Sequence, residues 1–219
     1  MKKIDPESNP DSLEAWNHQL IRFLLKELPR HPQSLLNDFK FEGMRIVTSS
    51  NRQLRIWNWD DQLGGHVFRY YWAVAEFKTP IGIKTKLLLP ADTISDGWQL
   101  AIGRCDTIFS VGDSAGRMIY LPRFHYIADE GYLNESVDAY SIDRNKLNTN
   151  FRAFKSKSGK LHNSISLIYK NPFPHRRQIE VKGNELLVPK VIESSDYATS
   201  SSLRYEFDGS HFVYKGITK

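Results

Sequence analysis

Apolar residues recur at steps of three and four near the start of the chain, and at steps of two after Gly43. In the first region Leu13, Trp16, Leu20, Phe23, Leu24 and Leu28 line up as one stripe of an α-helix over residues 11–28. Asp11 or Ser12 can cap its first turn, and Glu14 lies three residues after Asp11, as a capping box requires. Pro29 and Pro32 end it. A short helical turn over 33–39 then offers Leu35, Leu36 and Phe39. Such a stripe must be covered, so Trp16 and Leu20 are expected to be buried against the rest of the chain. A docking helix for a partner is the other use of the stripe. Residues 1–10, with Pro6 and Pro10, are expected to be loose.

Beyond Gly43, short β-branched and aromatic runs alternate with turn residues. Strands are predicted at 45–48, 54–59, 66–77, 83–89, 98–108, 118–127, 136–142, 151–155, 165–169, 178–181, 186–191, 203–207 and 212–214. Gly, Asn or Asp at 143–145, 182–184 and 208–210 suit tight hairpins. The prediction is a mainly β protein: an antiparallel meander over 44–214, forming a sandwich or barrel-like body, with the N-terminal helix packed on it. Residues 11–219 are read as a single domain.

The run RQLRIWNWDDQLGG, residues 52–65, tests this reading. In a strand Arg55, Trp57 and Trp59 share one face, and Leu54, Ile56 and Asn58 the other. The next strand puts Phe68, Tyr70, Trp72 and Val74 on one side and Tyr71, Ala73, Ala75 and Phe77 on the other. Both strands are apolar on both faces, so both faces are covered, by another sheet, by the helix or by a ligand. Core packing is one use of these aromatic residues. A binding face built from Trp57, Trp59, Tyr70 and Trp72, stacking on a carbohydrate or peptide, is the other. Asp60 and Asp61 point opposite ways in an extended segment and do not form a shared-proton pair. Asp60 is expected to accept backbone N–H groups in a turn that ends at Gly64-Gly65; if the Asp61 carboxylate only faces water, its replacement by alanine should be mild. The loop lacks the alternating oxygen ligands that calcium needs.

Composition narrows the function classes. The chain has 219 residues, and 30 basic residues against 25 acidic ones give a net charge of +5. The basic residues are interleaved with acidic ones, and clusters such as Lys155, Lys157 and Lys160 are short, which argues against nucleic-acid binding. Cys105 is the single cysteine, so no intramolecular disulfide and no multi-cysteine zinc site can form. No run is long enough to span a membrane. The start MKKIDPESNPDS has two lysines but no apolar stretch behind them, which reads as a cytoplasmic chain or one whose leader was removed.

No catalytic signature stands out. The histidines at 18, 31, 66, 125, 162, 175 and 211 show no metal spacing, and no cofactor loop is present, so no cofactor or metal is expected. Gly112-Asp-Ser-Ala-Gly116 resembles the GDSGG of serine proteases, but a polar hairpin turn explains it equally well. A hydrolase site would have to be assembled from Asp60, Asp61, His66, Ser114 or His125. His125 follows Phe124 inside a strand, a position compatible with burial.

The segments IVTSSNRQLRIWNWDDQLGG, SIDRNKLN and SLRYEFDGSHFVYK resemble an uncharacterised bacterial β-rich family. Its pattern is a Ser-rich turn, Leu-Arg, an aromatic, Trp-Asp and then Gly-Gly, with a helix before it and a Phe-Asp-Gly-x-x-Phe type hairpin at the end. The resemblance runs in order through most of residues 12–214. It implies a mostly β, exported protein of the periplasm or cell envelope and no established activity; the lack of an export signal departs from it. The expectation is a non-enzymatic β-rich binding or scaffold protein, with the assembled hydrolase as the alternative.

Overall fold

The computed structural model describes residues 10–63, 71–88, 103–129, 132–170, 177–192 and 195–218. The segment 1–9, Gly64, Gly65, His66 and Tyr70 lie outside them. Helix α1 (Pro10–Glu27) begins with proline at its first position, where the missing N–H has no intrahelical partner to lose. Asp11 therefore sits inside the first turn rather than before it. Two short 3-10 turns follow, Leu28–Arg30 and Ser34–Leu36.

A first antiparallel sheet takes β1 (Met44–Thr48), β2 (Leu54–Asp60), β3 (Tyr71–Thr79) and β4 (Gly82–Leu88) in chain order. A second is built around the long β6 (Met118–Asp129), which pairs with β5 (Arg104–Gly112). It also pairs with both β7 (Tyr132–Asp138) and β8 (Tyr140–Asp143), and β9 (Lys146–Asn148) closes the edge beside β8. The predicted strand over 136–142 is thus split at Ala139, whose N–H bonds the Asn163 carbonyl at 2.8 Å instead of the ladder. After β10 (Phe154–Lys155) and β11 (Leu161–His162), β12 (Ser164–Lys170) returns to pair with β7. A third sheet joins β10 and β11 to β13 (Glu180–Lys182), β14 (Glu185–Val191), β15 (Ala198–Phe207) and β16 (Phe212–Thr218). Among the described strands pairing is antiparallel except between β10 and β16, with an isolated parallel bridge between Lys170 and Tyr197. The three expected hairpin turns are present, with Arg144, Gly183 and Gly209 at positive φ.

Three apolar cores join the layers. Ile21, Leu24 and Leu28 of α1 meet Trp57, Trp59 and Val74 of the first sheet. The other face of that sheet, Leu54, Ile56, Ala73, Ala75 and Phe77, meets Tyr120, Phe124 and Tyr140 of the second. The second sheet's far face, Ile119, Leu121 and Val137, meets Ile179, Leu186, Val188 and Phe212. The mainly β antiparallel body with an N-terminal helix is therefore a stack, helix on sheet on sheet on sheet. The doubly apolar strands β2 and β3 have the covers that their pattern demands: α1 on one side and the second sheet on the other.

The helix face differs from the expected one. Trp16 and Phe23 are each 61% exposed. Asn17 and Ile21 take the core-facing places beside Leu24 and Leu28, with Leu20 half-buried. The cause is polar. Asn17 Oδ1 accepts the Trp59 indole N–H at 2.9 Å, and Asn17 Nδ2 donates to the Asp61 carbonyl at 3.0 Å. An asparagine that satisfies a buried indole holds the helix rotated away from the purely apolar stripe. Among the described residues no helix is long and apolar enough to cross a membrane.

Candidate functional site

The tryptophans of the expected binding face lie in the helix–sheet core. Trp57 is 2% exposed and donates its indole N–H to Glu76 at 2.9 Å; Trp59 is 5% exposed and donates to Asn17. A stacking ligand would have to displace Phe39 and Phe41 from Trp57, or Asn17 of α1 from Trp59. Trp72 is half-buried, with its ring 5.8 Å from that of His18. Asp60 Oδ1 accepts the Gln62 N–H at 2.9 Å, as expected of a turn residue. Asp61 is 7% exposed rather than open to water, and its Oδ1 accepts the Leu63 N–H at 2.9 Å.

Of the residues considered for an assembled hydrolase, Ser114 and His125 lie far apart, and His66 is outside the described residues. Ser114 lies in the turn between β5 and β6, where Asp113 Oδ1 accepts the N–H groups of Ala115 and Arg117 and Gly116 adopts φ +78°. The Ser114 N–H bonds the Gly209 carbonyl at 2.7 Å, docking this turn on the β15–β16 hairpin. His125 is at the far end of β6, and the strand from Met118 to His125 alone spans roughly 23 Å at about 3.3 Å per residue. The GDSAG motif is a turn. Cys105 is fully buried, and burial pushes its thiol up, so no thiolate forms there near neutral pH.

At the His125 end, however, ionisable side chains converge. Register makes Arg104, His125 and Glu135 one row across β5, β6 and β7, on the face that carries Leu121 and Val137. Arg123 is two residues along the same face. Between Cys105 and Thr107 the β5–β6 register slips, so Asp106 is the extra residue of a bulge. Bulges re-aim side chains. Here the Asp106 carboxylate reaches His125 Nδ1 at 2.7 Å, with Arg123 Nη2 at 3.6 Å and Arg104 Nε at 3.7 Å. Burial pushes the Asp106 carboxyl up, but the hydrogen bond from His125 and the charges of Arg123 and Arg104 outweigh it and hold it below the usual carboxylate range.

The buried wall of the cluster is Glu135, 3.6 Å from Arg123 Nε and within 3.4 Å of the Tyr169 hydroxyl. Tyr169 also donates to the Arg177 carbonyl, and Arg123 Nη1 donates to the Ile179 carbonyl at 2.9 Å, tying the second sheet to the chain entering β13. Gly103 passes so close to β6 that a Cβ there would lie 2.7 Å from the His125 backbone. Among the described residues no group of three or more His, Cys, Asp or Glu is arranged to hold a metal ion. Of this cluster only His125 was singled out in the sequence. The available signal was the run Leu121, Arg123, His125, which places two ionisable residues on an otherwise apolar strand face; the bulge that brings Asp106 to them has no local signature.

Comparison of the chain with models of known families, with curated proteins and with solved structures finds no match in any of the three.

Proposed function

We propose that the protein is a non-enzymatic β-rich binding or scaffold protein, and that the open flank of its helix layer recognises an apolar peptide segment. One observation carries this reading. Trp16 and Phe23, seven residues apart and thus on one side of α1, stand exposed beside half-buried Leu20. Leu20 packs on the same core cluster as half-buried Phe39, Met44 and Ile46, and these three line a shallow depression of about 420 Å³ together with exposed Phe41. Single exposed apolar residues are ordinary, but two exposed aromatic rings on one helix flank, with Phe39 and Phe41 lining a depression beside the same core cluster, are the kind of surface reserved for partners. Helix-in-groove recognition suits it. The resemblance to an exported bacterial family supports an envelope setting.

The test is a titration with a model amphipathic Leu/Lys helical peptide, followed by tryptophan emission and calorimetry, with a β-1,4-linked glucose hexamer as the carbohydrate arm. Saturable peptide binding that is lost in Trp16→Ser and Phe23→Ser, both still folded, is the expected result. Binding of the sugar alone, unaffected by these variants, would overturn the peptide reading.

The hydrolase alternative keeps one favourable observation, the 2.7 Å contact of Asp106 with His125, which holds an imidazole as a general base is held. Among the described residues no hydroxyl or thiol hydrogen-bonds His125. Ester, glycoside or peptide turnover abolished by His125→Ala in a folded protein would replace the binding reading with this one.

A further inference from the structure

We propose that the segment docking on the open flank of α1 is an amphipathic helix whose apolar face is bordered by carboxylates, which meet Arg22 and Lys26. This inference rests on the peptide reading above and names the chemistry of that peptide.

Helix geometry puts the two cations beside the exposed rings. Successive residues of an α-helix turn by about 100°, so Phe23 stands about 20° from Trp16 around α1. Leu20 stands about 40° from Trp16 on the side of Asn17 and Leu24, which face the core. On the other, outer side Lys26 and Arg22 follow Phe23 at about 60° and 100°. They are four residues apart, both exposed, and form one basic row along the aromatic strip.

Their charge is uncompensated among the described residues. Arg22 Nε donates only to the His18 carbonyl of its own helix, at 3.3 Å, and no described carboxylate pairs with Arg22 or Lys26. The nearby carboxylates are engaged elsewhere: Glu14 stands 3.6 Å from His18, and Glu27 stands 3.2 Å from Arg30. Asp11, in the first turn, is about 16 Å along the axis from Arg22. Lys26 lies in the last turn, where the helix dipole alone favours a cation, but Arg22 lies a turn earlier and has no such use. The depression beside the same core cluster has the same sign, since exposed Lys40 and Arg45 line it with Glu42 as its one carboxylate. Asp38, next to it in the chain, is taken by Arg52 at 3.6 Å.

A helix that lays an apolar face on Trp16, Leu20 and Phe23 carries the residues bordering that face to the basic row. Lys or Arg at the border meets like charge there, whereas Glu or Asp forms ion pairs. Border charges choose partners between packed helices in this way.

The test uses three synthetic helical peptides that share one leucine face and carry Glu, Gln or Lys at the positions bordering it. Each is titrated into the full chain by calorimetry and tryptophan emission, at low salt and at about 0.5 M sodium chloride. The Glu peptide should bind about tenfold tighter than the Lys peptide at low salt, with the Gln peptide between them, and the gap should narrow at high salt. Arg22→Glu combined with Lys26→Glu, with the fold checked by circular dichroism, should reverse the order. Lys157→Glu changes an exposed charge elsewhere and should leave the order as it is. Equal binding of the three peptides, lost in Trp16→Ser, would keep the peptide surface and overturn its acidic partner. A Glu preference that survives the double reversal, or that Lys157→Glu reverses as well, would overturn it too, because net charge alone would then be at work. Binding of none of the three removes both readings, and Trp16-dependent binding to phosphatidylglycerol vesicles in that case gives the flank to a lipid surface instead.

Discussion

Two arginine–glutamate pairs, one fully buried and one with a partly exposed arginine, lie in different layers of this molecule, and they are used differently. Arg55 and Glu76 lie fully buried between the first sheet and the turn at 34–37, 3.7 Å apart. Arg55 donates to the carbonyls of Ser34, Leu35 and Asn37 at 2.8, 3.2 and 2.6 Å and to Thr48 Oγ1 at 2.8 Å; Phe39 and Trp57 cover its plane. Glu76 accepts the Trp57 indole N–H and the Ser34 hydroxyl. Burial pulls the guanidinium pKa down, with Glu76 working against that pull. Four of the five guanidinium N–H groups are hydrogen-bonded and Glu76 stands beside Nη1, so the pair is a clip that fastens the connection after α1 to the sheet. Arg123 and Glu135 sit at the end of the second sheet, where the neighbouring Asp106, His125 and Arg104 keep access to water. Burial of charge alone does not separate architecture from chemistry. Whether the hydrogen-bonding capacity is used up does.

The largest expected effect tests the closed pair. Glu76→Ala leaves Arg55 charged and buried without its carboxylate, which costs about 3–5 kcal/mol. Arg55→Met combined with Glu76→Leu should recover much of that loss. Urea unfolding of the three proteins measures both, and a loss under about 1 kcal/mol for Glu76→Ala would mean the clip is not structural. Trp59→Ala, in the same layer, should cost about 3–5 kcal/mol by cavity formation. A variant as stable as the parent would contradict the sealed core.

The next prediction separates two carboxylates by pH. Burial pushes Asp138 up to about 6, against hydrogen bonds from Ser164 and Tyr140 that lower it. The folded state therefore holds this proton more tightly than the unfolded chain does. Stability falls as pH rises from the unfolded value through about 6, and the penalty is complete above that. Asp138→Asn should raise Tm at pH 7.5 relative to the parent, and this gain should shrink toward pH 4. Asp106 has the opposite sign. Its folded pKa is depressed, so its contribution is present above the unfolded carboxylate pKa and is lost as pH falls through the folded one. Asp106→Asn should lower Tm at pH 7 and converge with the parent in strong acid. Parallel Tm–pH curves for either pair would defeat the assignment.

The smallest effect belongs to the open helix flank. Trp16→Ser and Phe23→Ser should each change stability by no more than about 0.5 kcal/mol, as exposed positions do. A loss of several kcal/mol in either would place these rings in the core after all.

Much of the architecture was written along the chain, because side-chain periodicity is a local property of the backbone. The change at Gly43 marked the passage from helix to sheet. The parity of Arg55, Trp57 and Trp59 against Leu54, Ile56 and Asn58 gave the two faces of β2, and their double apolarity required two covers. The glycine, asparagine and aspartate turns marked the hairpins, and Asp60 was readable as a turn acceptor. What lay beyond the sequence depends on which atoms meet across layers. Asn17 looks like a surface residue until the Trp59 indole and the Asp61 carbonyl arrive opposite it, and with those two hydrogen bonds made Trp16 faces outward. Asp61 is buried where Asn17 of α1 bonds its carbonyl. Asp106 reaches His125 only through a register slip between two strands, and Arg45 reaches the Asp106 carbonyl only because the first sheet lies against the second. Periodicity decides what each element must hide; only the packed layers decide which polar groups meet one another.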